Sequence, residues 1–279
     1  MTNARGLDSP EGARVFFQHD RDEIEMVSLG GGQAALFSIA NPVRRGLNQD
    51  SAALIPLGED SCVLAVADGV GGEWGGEKAS RSAIEAVLSQ LTRAQREGVA
   101  VRTAILDAFE LANEVVTAIG GGAATTLAVA EIDGGTLRSY HVGDSAVLSI
   151  GQRGRMKAQT VAHSPVGFAL EAGVLNETEA LFHEDRHIVS NVLGMADMRI
   201  EISSVQRLAR FDTVVIASDG LLDNLRVSEI AEHVRVGALD RAARLLARAS
   251  VGRMHGDSPS QPCKPDDLTF VVFRSSRGS

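Results

Sequence analysis

The sequence predicts an α+β chain built on antiparallel sheets. Three observations carry this. Apolar runs of strand length follow one another across short turns, two pairs of amphipathic helical stretches interrupt them, and regular strand–helix alternation is absent. A doubly wound parallel sheet would need a crossover after nearly every strand.

Residues 1–32 are polar and charged and end in Gly30-Gly31-Gly32, which reads as an N-terminal arm; residues 33–279 read as one domain without repeats or a linker. Strands are expected at 35–39, 52–55 and 63–67. Ala83, Ile84, Val87, Leu88 and Leu91 recur at helical spacing and predict a helix over 76–97; Val101, Ile105, Ala108, Leu111, Ala112, Val115 and Val116 predict a second over 99–119, closed by Gly120-Gly121-Gly122. Strands return at 125–132, 136–142 and 145–150, with Gly134-Gly135 and the stretch 151–154 marking hairpin turns. Residues 164–197 are mixed and polar, with a short helix expected at 166–172 in a surface flap. Strands at 198–205 and 212–218, helices at 227–234 and 239–251, a loop over 252–265 and a last strand at 268–273 complete the chain.

Composition narrows the function. A net charge of -9 and a pI near 5.3 argue against a nucleic-acid binder, which needs a basic face. No apolar run approaches the roughly 20 residues that span a bilayer, and the first 20 residues lack the apolar segment of a signal peptide, so a cytoplasmic protein is expected. Cys62 lies in an apolar run and Cys263 in a Pro-containing loop; no disulfide between them is expected in such a compartment.

Four short acidic stretches carry the chemistry. They are Asn48-Gln49-Asp50-Ser51, Ala67-Asp68-Gly69-Val70-Gly71-Gly72, Ala217-Ser218-Asp219-Gly220 and Pro265-Asp266-Asp267-Leu268-Thr269. Around Asp68 and Asp219 an apolar strand runs into an Asp-Gly step, which places a carboxylate at the end of a core strand and lets the chain turn directly after it. Singly, each such step is most simply a turn. Together, Asp68, Asp219 and Asp266, with Asp50 as a fourth acid, are candidates for one site, because carboxylates gathered that densely repel unless a cation sits among them. Carboxylates, carbonyls and water are the ligands Mg²⁺ and Mn²⁺ prefer. Arg44-Arg45 lies just before Asp50 and offers a planar fork suited to phosphate.

Taken in order, these stretches resemble the metal-dependent protein serine/threonine phosphatases of the type 2C family, in its bacterial form. The matching segments also include Ala124-Thr125-Thr126 and His141-Val142-Gly143-Asp144-Ser145, and the likeness spans residues 37–273. It implies a central antiparallel β-sandwich flanked by pairs of helices, four layers in the order α-β-β-α, with residues 33–279 as the catalytic domain. It also implies two Mg²⁺ or Mn²⁺ ions and a weaker third. By position, Asp68 would bridge the two metals and is the central catalytic residue, Gly69 would lend its carbonyl to one, and Asp219 and Asp266 would complete the other. Gln49 and Asp50 would reach the metals through water, and Asp144 would join Asp219 at the third. Arg45 corresponds to the catalytic arginine that binds the substrate phosphate. Asp267 stands where the family has Asn, and no ligation is expected from it. Residues 164–191 correspond to a variable flap. The implied partners are a phosphorylated protein and a cognate Ser/Thr kinase, with no nucleic acid and no membrane.

The chain departs from the family at Gln49, Val70, Ala124, Ala146 and Ala162, none of them a carboxylate ligand of the two main metals. Val70 stands where animal members have a histidine, which leaves proton delivery to water. These changes keep a second reading open: a catalytically weak or inactive phosphatase fold that acts as a regulatory binding module.

Overall fold

The structure is a computed structural model and describes residues 10–43, 46–70, 75–257 and 261–276. In chain order its elements are β1 (Arg14–Phe17), β2 (Arg21–Leu29), β3 (Gly32–Ile39), β4 (Ser51–Pro56), β5 (Ser61–Ala67), β6 (Gly69–Val70), α1 (Gly76–Glu97), α2 (Val101–Ile119), β7 (Ala124–Thr125), β8 (Leu127–Asp133), β9 (Thr136–Val142), β10 (Ala146–Ile150), β11 (Met156–Gln159), α3 (Pro165–Glu171), α4 (Glu177–Leu181), β12 (Glu201–Ile202), β13 (Gln206–Arg207), β14 (Thr213–Ala217), α5 (Asp219–Leu222), α6 (Val227–Val234), α7 (Leu239–Met254) and β15 (Leu268–Ser275).

Two antiparallel sheets face each other. One runs β1-β4-β5-β8-β9-β12, with β13 also on β9; the other runs β11-β10-β14-β15-β3-β2. Their central strands are near-continuous apolar runs because both faces are covered. On β5, Cys62, Leu64 and Val66 point between the sheets, while Val63, Ala65 and Ala67 point to α1 and α2. On β14, Val214 and Ile216 point between the sheets, and Val215 and Ala217 point to the layer of α6 and α7. The period of two thus builds three apolar layers, and the expected four-layer sandwich is what the chain forms.

Gly134 and Gly135 make the expected two-residue hairpin: Asp133 pairs with Thr136, and both glycines have positive φ, +52° and +81°.

Several elements differ from expectation. The stretch 1–32 is not an arm over the part described: β1 pairs with β4 and β2 with β3, so each closes one edge of a sheet. β2 reads Arg-Asp-Glu-Ile-Glu-Met-Val-Ser-Leu and is mostly exposed, and an edge strand that faces water lacks the apolar signature of a core strand. Gly30-Gly31 is the turn between β2 and β3. The strand expected over 198–205 is reduced to two-residue β12 and, just beyond, β13, whose side chains are largely exposed. Short β11 and α4 were not foreseen, and α7 runs on to Met254. Cys62 is buried, Cys263 is exposed, and both are free thiols. Among the described residues no helix is long and apolar enough to cross a membrane.

Candidate metal centre

The register of the sheets brings the acidic stretches to one edge of the sandwich. Ser51 pairs with Ala67, so Asp50, which precedes β4, and Asp68, which follows β5, leave the sheet side by side. Ala146 pairs with Ala217, and Ala217 with Phe270, so Asp144 before β10, Asp219 after β14 and Asp266 before β15 leave at the same edge of the second sheet. Asp219 opens α5, and Asp223 follows one turn later on the same side.

Hydrogen bonds fix the backbone here and leave carboxylates over. The Asp68 N–H donates to Thr126 Oγ1 at 3.0 Å, and the Asp68 carbonyl accepts from Thr126 N at 2.9 Å and Thr125 Oγ1 at 2.7 Å. Among the described residues its carboxylate takes no hydrogen bond. Asp50 is 1 % exposed. Its Oδ2 accepts from Ser218 Oγ at 2.8 Å, which ties β4 to the end of β14, while Oδ1 is buried and has no hydrogen-bond partner among the described residues. Such an oxygen costs free energy unless something outside the described residues satisfies it. Asp267 differs: Oδ1 accepts the Asn41 N–H at 2.7 Å and Oδ2 the Gln49 N–H at 2.9 Å, so this acid clamps loops.

Gly69 is held close to the start of α1. A methyl group on it would lie 2.2 Å from the Gly76 carbonyl oxygen, so only glycine fits. Its strand β6 pairs with β7, Gly69 opposite Thr125.

Electrostatics mark the cluster as short of positive charge. Burial pushes the Asp68 carboxyl well above the ordinary carboxylate range, and the charges of Asp50, Asp219, Asp144 and Asp266 add to it. Asp50 is raised the same way, by burial and then Asp267, with the Ser218 hydrogen bond opposing. Burial with Asp219 and Asp223 lifts Asp144 to about 8, and burial with Asp219 lifts Asp266 to about 6. Hard oxygen donors, an orphaned carboxylate oxygen and mutual repulsion fit a divalent-cation centre.

One cation is already present. Lys264 Nζ lies 2.6 Å from Asp219 Oδ2, 2.5 Å from Asp223 Oδ2 and 3.4 Å from Asp266 Oδ2. Sequence reasoning missed both Lys264 and Asp223. The available cues were a lysine two residues before Asp266 and an acid four after Asp219. Arg45 lies outside the described residues.

A cavity of about 330 Å³ opens beside Asp144, Asp219 and Asp223, walled by the flap helix α3 and by Ala146 and Ala162. Two of the three alanines that depart from the family pattern, Ala146 and Ala162, thus line one space. A second cluster, His141, His163 and Glu201, brings its ligand atoms within 4.8 Å of one another. One nitrogen of His141 and both of His163 are engaged in hydrogen bonds. His163 Nδ1 accepts from Gly143 N at 3.1 Å, so the neutral ring carries its proton on Nε2, facing Glu201 at 3.3 Å. His141 Nε2 donates to the Val161 carbonyl at 2.8 Å. The stacked histidines tie the β9–β10 turn to the base of the flap, and His163 has no lone pair to give a metal.

A four-layer sandwich with carboxylates converging at one edge defines a class of hydrolase scaffold, and comparison with known proteins places the chain within it. The family model for protein phosphatase 2C matches residues 43–251. The chain belongs to the protein phosphatase 2C family, a family of protein serine/threonine phosphatases. The chain is 30% identical to the protein phosphatase PhpP of Streptococcus pneumoniae over 179 residues, 62% of this chain and 72% of that protein. It is 26% identical to the serine/threonine phosphatase stp of Listeria innocua over 198 residues, 66% and 76% of the two chains. Its fold matches the S. agalactiae serine/threonine phosphatase with a TM-score of 0.74 at 25% identity, covering 87% of this chain and 99% of that one.

Proposed function

We propose that the chain hydrolyses phosphoserine and phosphothreonine on proteins by direct attack of water at a dinuclear metal site. The observation that carries this is the convergence of Asp50, Asp68, Asp144, Asp219 and Asp266 at one edge of the sandwich, with a buried Asp50 oxygen left unpartnered among the described residues. Two Mg²⁺ or Mn²⁺ ions held there supply Lewis acidity that activates water and offsets phosphate charge. Asp68, the Gly69 carbonyl, Asp219 and Asp266 would hold these ions. Gln49 and Asp50 hold ordered water beside them. Arg45 grips the phosphate oxygens with its planar fork. Val70 carries no proton to give, so the departing Ser or Thr oxygen takes one from water. The cavity beside Asp144 lets the substrate chain approach between α3 and α5.

The substrate class implies a Ser/Thr kinase that installs the phosphate, and a cytoplasmic setting suits such a pair. The rival reading, a binding module without turnover, draws no support from the site, since every expected carboxylate stands at this edge.

The test is release of inorganic phosphate from a phosphothreonine peptide. Activity is expected with Mn²⁺, lost on adding EDTA and restored by excess Mn²⁺. Turnover that persists through chelation would overturn the metal mechanism.

A further inference from the structure

We propose that Lys264 is a built-in cation that takes the place of a third metal ion, so that the chain binds two divalent ions and excludes another. The proposal rests on the two-metal reading above and concerns how many ions the site admits.

The acids at the sheet edge fall into two groups around Asp219. On one side stand Asp50 and Asp68, and the strongest charges acting on either of them are other carboxylates. Among the described residues no cation is bonded to either carboxylate. On the other side stand Asp144 and Asp223, and there the Lys264 ammonium is in place, bonded to Asp219 Oδ2 and Asp223 Oδ2 and acting on Asp144, with Asp266 Oδ2 farther off at 3.4 Å. A cation pushed in among Asp144, Asp219 and Asp223 would meet that ammonium at contact distance. Like charges at such a distance repel strongly in a partly screened site, and a divalent ion doubles the repulsion that a monovalent one would meet.

Lys264 is aimed there by its own backbone. Its N–H donates to Asn224 Oδ1 at 2.9 Å, and its carbonyl accepts from Asn224 Nδ2 at 2.8 Å. Asn224 is fully buried and also donates to the Gly220 carbonyl. One side chain therefore locks the lysine's loop to α5, which opens on Asp219 and is followed directly by Asp223. Among the described residues Asp219 Oδ1 takes no hydrogen bond and stays available to the two-metal side. The division of labour is specific: one oxygen for the fixed ammonium, the other for an exchangeable ion.

The test is Mn²⁺ stoichiometry at saturation, measured by equilibrium dialysis with elemental analysis on folded, full-length chain. Wild type is expected to hold two ions. Lys264→Met removes the charge while keeping length and is expected to hold three; Lys264→Arg keeps a cation and is expected to hold two. Adding Asp144→Asn to Lys264→Met should return the count to two. Three ions in wild type, or two in Lys264→Met with an unchanged circular dichroism spectrum, would overturn the proposal. If Lys264→Met does not fold, the wild-type count and that of Lys264→Arg still decide: three ions in either contradicts it. No ion in wild type would instead sink the two-metal reading, and this proposal with it.

Discussion

Replacing Asp68 by Asn is expected to lower phosphopeptide hydrolysis at least a thousandfold while leaving the fold intact. The reasoning starts from the two halves of the residue. Its backbone is clamped by Thr125 and Thr126 through three hydrogen bonds that Asn preserves. Its carboxylate makes no structural bond among the described residues, so its removal costs the fold little. It even relieves a cost: burial and four neighbouring acids hold Asp68 well above the normal carboxylate range, and a neutral amide ends that repulsion. The metal-free variant should therefore melt no lower than wild type. The loss falls on function, since a neutral amide oxygen binds a shared pair of divalent ions far less well than a carboxylate. A thousandfold loss corresponds to about 4 kcal/mol of transition-state stabilisation. Thermal unfolding in EDTA and hydrolysis in Mn²⁺ check the two halves, and near-wild-type activity would show that Asp68 is not the bridge.

Gly69→Ala is expected to fail differently, by steric displacement. The added methyl would sit 2.2 Å from the Gly76 carbonyl oxygen, which belongs to the first turn of α1 and cannot rotate away. Either β6 or the start of α1 must shift, at a cost of about 1–3 kcal/mol for such overpacking. The shift moves the Gly69 carbonyl and the neighbouring Asp68, and a displacement near 1 Å in a catalytic array costs roughly a hundredfold in rate. Gly58→Ala is the control: nothing lies within 4 Å of its added methyl, and neither stability nor rate should change. Denaturant unfolding and steady-state hydrolysis of both variants would decide. An unperturbed Gly69→Ala would mean that this close approach does not matter to the site.

The parts of this protein that are legible in its sequence are those where the core imposes a pattern. β5 and β14 are apolar on both faces because helices cover one side and the opposing sheet the other, so Asp68, directly after β5, and Asp219, one serine beyond β14, stand out as the first acids after unbroken runs. α1 and α2 show their buried stripes plainly. Legibility fails where water removes the pattern. β2 closes a sheet edge with charged residues, and β12 and β13 are too short and exposed to carry a period. At the site, the ligand candidates could be named from order and spacing, but their grouping depends on register: that Asp50 leaves beside Asp68, and Asp144 beside Asp219, follows from the Ser51–Ala67 and Ala146–Ala217 pairs. Lys264 was invisible for another reason. Its place two residues before Asp266 is its one cue in the sequence, which a solvated loop lysine fits equally well, and only the Asn224 clamp shows where it points.

The central claim is that these carboxylates gather two divalent ions at one edge of the sandwich. A crystal structure grown with Mn²⁺, with data collected at the manganese absorption edge, tests it most directly. The account predicts two anomalous peaks sharing Asp68, one completed by the Gly69 carbonyl and the other by Asp219 and Asp266. Peaks at the His141, His163 and Glu201 cluster instead, or none within reach of Asp68, would contradict it.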